Sequence, residues 1–218
     1  MPRSGVRVPP GPLFFIHGWG FSSKVLASFP SVDLPFHGRS KLSYSDPWSL
    51  ARELALIAPE GSTLIGWSMG GSLALMMAYM FPEKFRGLLL IGATAHFGGN
   101  WQERNLRGFI LRLKREGTEF LKTFRRLAYE REFEDCIELE GAEKLLRDYI
   151  TLNIKPIVPN IRQRVFLLHG IRDPIVPFRS ALSLYNLLKR SKLIPFLGGH
   201  FPRNESLIFE VLKGMEEL

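Results

Sequence analysis

The sequence predicts an α/β fold, a doubly wound and mostly parallel sheet of about six strands with helices on both faces. Short apolar runs alternate with helical stretches along most of the chain, which is the pattern of strand–helix–strand units. The runs are apolar on both faces, as strands of a covered parallel sheet must be. The length of 218 residues, with 45% hydrophobic and 23% charged residues, fits one globular domain and excludes wholesale disorder.

Residues 1–12 hold four prolines and two glycines and read as an unstructured arm. Strands are expected at Leu13–His17 and Ser31–Leu34, then a helix at Pro47–Ala58. Thr63–Gly66 reads as a strand, Gly70–Phe81 as a helix and Gly87–Gly92 as a strand. The alternation then breaks. Residues 94–159 are helical, charged and poor in strand signals, an insertion at the end of one strand, where α/β folds place their sites. Three helices are expected within it, at about Gln102–Glu116, Thr118–Glu130 and Glu138–Ile150, with Gly117 and Gly141 as breaks. The strand Arg164–His169, the helix Phe178–Arg190, the strand Lys192–Leu197 and the helix Ser206–Glu217 follow, with Asn204 as the cap of the last. The core domain is therefore 13–93 and 160–218.

The charge pattern narrows the function classes. Net charge is +8, which suits nucleic acid, an acidic membrane face or an acidic protein. No apolar run is long enough to span a membrane, and Leu13–Ile16 is too short for a signal-peptide core. The one cysteine, Cys136, cannot form an internal disulfide and points to a reducing, cytoplasmic setting. No His/Cys/Asp/Glu cluster has metal-ligand spacing, and no phosphate-cradling glycine loop precedes Lys-Ser/Thr, so neither a metal nor a cofactor is expected.

The strongest motif is Gly66-Trp67-Ser68-Met69-Gly70-Gly71, a G-x-S-x-G pattern between an apolar strand and an apolar helix. That context makes Ser68 a nucleophile on a strained strand-to-helix turn. Such a serine needs a carboxylate and then a histidine in loops after later strands. Asp173 follows Arg164–His169, and His200 follows Lys192–Leu197, in that order. An acyl-transfer site also needs oxyanion donors. The N–H groups of Met69 and of Trp19, in His17-Gly18-Trp19-Gly20, are the candidates, and the Trp19 indole would also wall the acyl pocket. His17 would shape the oxyanion loop and His37 would be a loop residue. His96 would line the pocket and His169 would end a strand.

These residues resemble the α/β-hydrolase superfamily. Within it, the pairing of His17-Gly18-Trp19-Gly20 with Gly66–Gly71 is most similar to the family of pimeloyl-acyl carrier protein methyl ester esterases of biotin synthesis. Asp33-Leu34-Pro35-Phe36-His37-Gly38-Arg39-Ser40, Asp173-Pro174 and Gly199-His200-Phe201-Pro202 extend the likeness. The resemblance implies a serine carboxylesterase with Ser68, Asp173 and His200 as triad, and it makes 94–159 a helical lid. The acyl chain would lie under that lid against Phe120, Phe124, Leu127 and Ala128.

From Arg104 to Arg131 nine basic residues face three acidic ones, interleaved with apolar positions at helical spacing. An acidic acyl carrier protein would dock on such a surface through Arg107, Arg112, Arg115, Arg125 and Arg126. The alternative is a solvated helix face. Nucleic acid is not expected as a partner, and a monomer is. A general short-chain carboxylesterase, or another α/β-hydrolase such as a menaquinone-pathway lyase, would share the triad. So would a non-catalytic ligand-binding protein of this fold. Ser68 rules out the aspartate-nucleophile branches.

Overall fold

The computed structural model describes residues 11–216. Five strands pair in sequence order into one parallel sheet: β1 (Leu13–Ile16), β2 (Thr63–Trp67), β3 (Gly87–Ile91), β4 (Arg164–Gly170) and β5 (Ser191–Phe196). The described residues form seven α-helices: α1 (Pro47–Ile57), α2 (Met69–Met80), α3 (Glu103–Glu116), α4 (Thr118–Tyr129), α5 (Leu139–Thr151), α6 (Phe178–Leu187) and α7 (Ser206–Glu216).

Successive strand residues point to opposite faces. Leu88 and Leu90 of β3 pack with α1, α2 and α6 on one side. Leu89 and Ile91 pack with α7 and with Phe21, Val25 and Leu26 on the other. Right-handed crossovers between neighbouring parallel strands account for α1, α2 and α6 sharing a face. Local chemistry sets the helix starts. Asp46 Oδ1 accepts from the N–H groups of Trp48 and Ser49 ahead of α1, with Pro47 at its first position. Asn204 Oδ1 accepts from Ser206 N–H at α7.

One expectation needs correction. The sheet has five strands, because Ser31–Leu34 touches it only through a single bridge from Phe15 to Ser31. Side chains engage that segment instead: Leu34 N–H donates to His17 Nε2, and the Asp33 carboxylate accepts from the N–H groups of Ser23 and Arg39. The arm expected at 1–12 falls almost wholly outside the described residues. Residues 1–10 lie outside them, but the Pro12 carbonyl accepts from Thr63 N–H at 2.9 Å and extends the β1–β2 ladder.

Helices α3–α5 enter between β3 and β4. Their apolar faces, including Ile110, Leu113, Phe120, Leu145 and Leu146, join the same core cluster as α1 and α2. No helix among the described residues is long and apolar enough to cross a membrane.

Candidate active site

Ser68 sits between β2 and α2 with φ +56°, a conformation that side chains rarely adopt and that costs about 1–3 kcal/mol. The surroundings hold it there. Its N–H donates to Ile91 O at 2.8 Å, tying the turn to β3. Glycine is required nearby for close approach: a Cβ on Gly70 would stand 2.1 Å from Ile16 O, and one on Gly66 2.6 Å from Gly70 O. The helix can therefore rise directly off the sheet with Ser68 at the strand end.

Asp173 and His200 come from the loops after β4 and β5. His200 Nδ1 lies 2.7 Å from Asp173 Oδ2, both side chains being buried. Asp173 Oδ1 accepts from the N–H groups of Ile175 and Val176 at 2.8 Å each. Burial pushes the Asp173 carboxyl up. The charge and hydrogen bond of His200, His169 and the backbone donors outweigh that and hold it below its ordinary value. A carboxylate on Nδ1 makes that nitrogen the donor and leaves Nε2 as the acceptor of the neutral ring.

Sequence reasoning missed the supports of this pair. Trp67 Nε1 donates to the His200 carbonyl at 3.1 Å. Gly92, at φ +54°, leaves space for the His200 ring, since a Cβ there would stand 2.8 Å from Nδ1. His169 Nε2 donates to Val176 O and stands 3.4 Å from Asp173 Oδ2, and burial pushes its pKa down. Gly92, which ends the apolar run of β3, is the one sequence signal for this support.

The loop after β1 lies against Ser68. A Cβ on Gly18 would meet Ser68 Cβ at 3.2 Å. Neither the Trp19 N–H nor the Met69 N–H has an acceptor among the described residues. Two buried neutral histidines fix the loop. His17 Nε2 accepts from Leu34 N–H while Nδ1 donates to Gly18 O. His37 Nε2 accepts from Gly20 N–H while Nδ1 donates to Pro35 O. Burial lowers their pKa values to about 4 and about 3.

Ser68 and His200 open on a cavity of about 500 Å³. Its wall is largely apolar, with Trp19, Phe21, Phe97, Phe109, Phe120, Phe124, Leu127 and Ile175. Phe109, Phe120 and Phe124 pack edge to face, with ring centres 4.8–5.5 Å apart. Of the expected acyl contacts, Trp19, Phe120, Phe124 and Leu127 line this cavity. Ala128 does not: one residue further along α4, it faces the other core cluster, beside Phe21 and Tyr129. His96 is likewise off the wall, and its neighbour Phe97 is on it. Among the described residues no group of three or more His, Cys, Asp or Glu is placed to hold a metal.

The arginines divide. Arg107, Arg112, Arg115 and Arg126 are exposed on α3 and α4 and pair with Glu103, Glu116, Glu116 and Glu132. Such exposed pairs contribute little and exchange readily. Arg112 also lies over the Phe120 ring at 4.6 Å. Arg125 departs from the expected outward face. It is only 6% exposed and turns inward, because the α4 face carrying Leu121 and Ala128 packs on the loop after β1.

A model of the alpha/beta hydrolase family matches residues 13–206. The chain is similar to the pimeloyl-[acyl-carrier protein] methyl ester esterase of Aeromonas hydrophila, 30% identical over 94% of this chain and 89% of that one. It is also similar to that of Nitrosomonas europaea, at 29% over 87% and 88%. With the esterase of that name from Wigglesworthia glossinidia brevipalpis the match is 33%, over 51% of this chain and 49%, about half, of the relative's length. Among solved structures, an esterase from Exiguobacterium antarcticum superposes with a TM-score of 0.81 at 20% identity, covering 97% of this chain and 94% of that one. The strained serine turn, the carboxylate–histidine pair and the loop beside them thus lie within the matched span, and the chain belongs to the alpha/beta hydrolase family.

Proposed function

We propose that this enzyme, a carboxylic ester hydrolase, removes the methyl ester from a pimeloyl chain carried on acyl carrier protein, in biotin synthesis. The observation that carries the reading is the Asp173–His200 bond on the floor of an apolar cavity that Ser68 shares. The relatives' name supports the substrate.

In this reading Ser68 attacks the ester carbonyl while His200 Nε2 takes its proton. The developing oxyanion accepts from the Trp19 N–H in the loop after β1 and from the Met69 N–H at the start of α2, where the helix dipole favours negative charge. The C–O bond to the methoxy group breaks, and His200 returns the proton so that methanol leaves. Water then attacks the acyl-serine with His200 as base, releasing the free carboxylate and restoring Ser68. Asp173 holds the imidazole tautomer and stabilises its charged form. The apolar acyl chain lies beneath residues 94–159, which act as a lid, against Trp19, Phe120, Phe124 and Leu127. The exposed Arg107, Arg112, Arg115 and Arg126 receive the acidic carrier. The enzyme works as a cytoplasmic monomer with no metal or cofactor.

The test is incubation with methyl pimeloyl-acyl carrier protein, followed by methanol release and by the carrier's intact mass. The reading expects demethylation by the wild type and none by Ser68→Ala. Cleavage of short aryl esters alone would make the enzyme a general carboxylesterase.

A further inference from the structure

Arg125 stands apart from the other arginines of α3 and α4. Its guanidinium is buried and pairs with no carboxylate among the described residues. Instead, Nε donates to Gly20 O at 2.6 Å, a terminal nitrogen donates to Asp135 O at 3.2 Å, and the group lies over the Phe133 ring at 5.2 Å. Desolvation pushes its pKa down. Burying a cation is costly; the charges of Asp135 and Glu134 offset part of that cost, and what the guanidinium holds here is a backbone carbonyl one residue beyond Trp19.

Gly20 is gripped at both ends. His37 takes its N–H and Arg125 takes its carbonyl. The residue itself has φ +83°, and a Cβ there would meet Leu121 and Phe124 of α4 at 3.2 Å. The Trp19 indole is tied as well, with Nε1 donating to Ala142 O of α5 at 2.7 Å. The loop whose Trp19 N–H would face the reacting oxygen is therefore held from α4 and α5. Charge-assisted bonds are short and strong, which suits Arg125 to a part where a small displacement matters.

We infer that Arg125 is a positioning residue for the oxyanion loop: it latches the Gly20 carbonyl so that the Trp19 N–H is aimed at the oxygen on which charge develops. This makes the helical insertion part of the oxyanion apparatus as well as a cover, and movement of α4 would withdraw the latch. The inference rests on the esterase reading above.

The test uses the whole protein with Arg125→Met and Arg125→Lys, folding being checked by circular dichroism. The readouts are kcat and KM on a short aryl ester, the pH profile, and the rate at which a fluorophosphonate labels Ser68. Removing an oxyanion donor outright costs about 10²–10³ in kcat, so a misaimed one should cost about tenfold to a hundredfold. Arg125→Met should lose that much in kcat and in labelling rate, with KM and the pH midpoint nearly unchanged. Added methylguanidinium should restore part of the loss, and Arg125→Lys should keep more activity. A folded Arg125→Met with wild-type kcat and labelling overturns the latch. So does a loss that methylguanidinium leaves untouched and that falls equally on KM. Should Arg125→Met fail to fold, Arg125→Gln takes its place with the same readouts and the same outcomes. Absence of wild-type labelling and of any ester turnover overturns the esterase reading, and the latch with it. Labelling equal in wild type and variants overturns the latch alone.

Discussion

The floor and the roof of the cavity are built on different physics. The floor is backbone: Ser68 at positive φ, glycines whose absent Cβ atoms let β1, β2 and α2 meet, and loop donors on Asp173. The roof is side chains: aromatic rings in edge-to-face contact under exposed ion pairs. A backbone-built site admits almost no variation, because a single added methyl group collides with a carbonyl. A side-chain-built wall tolerates exchange of rings and charges. Under the proposed function, chemistry belongs to the first region and the choice of substrate to the second.

The largest effects should come from the floor. Ser68→Ala should lower kcat by about 10⁶ while leaving the unfolding temperature nearly unchanged, read by ester hydrolysis and thermal melting. Asp173→Asn should lower kcat by about 10⁴, because the amide favours the wrong imidazole tautomer. Steady-state kinetics on a short ester check it, and little change would break the floor's assignment.

The roof should respond more gently and selectively. Reversing Arg107, Arg115 and Arg126 to Glu should lower kcat/KM for the carrier-bound ester by about tenfold or more, through lost steering and contact. The short ester should be unaffected. Added salt should shrink the difference, and equal loss on both substrates would blur floor and roof.

Acid should act on the floor's supports. His17 and His37 have folded-state pKa values of about 4 and about 3, below the ordinary 6.5. The unfolded chain therefore binds more protons below pH 6.5, and the stability these groups contribute is full above that pH. It falls as pH drops from there toward the folded-state values. Chemical denaturation between pH 7.5 and 4.5 should show the decline, and His37→Gln should flatten it.

Much of this was legible in the sequence, for physical reasons that also explain the misses. The G-x-S-x-G turn between apolar runs marks Ser68 locally, and Asp173 and His200 are candidates by their places after later strands. The insertion's three helices also lie close to their expected bounds. Ser31–Leu34 reads as a strand, yet His17 Nε2 takes the Leu34 N–H and Ser40 Oγ donates to the Asp33 carbonyl, which diverts its backbone from a ladder. Arg125 reads as one more cation on a basic helix. Only the fold shows that its face of α4 meets Gly20, 105 residues earlier. Ala128 failed the same way, since helical spacing gives a face but not the cluster that receives it.

The most direct test is the ratio of kcat/KM for methyl pimeloyl-acyl carrier protein to that for a short aryl ester, measured on one wild-type preparation. The ratio should lie far above one, with both activities lost together in Ser68→Ala. A ratio below one, with the aryl ester still dependent on Ser68, would contradict the roof's role in selecting the carrier-bound chain.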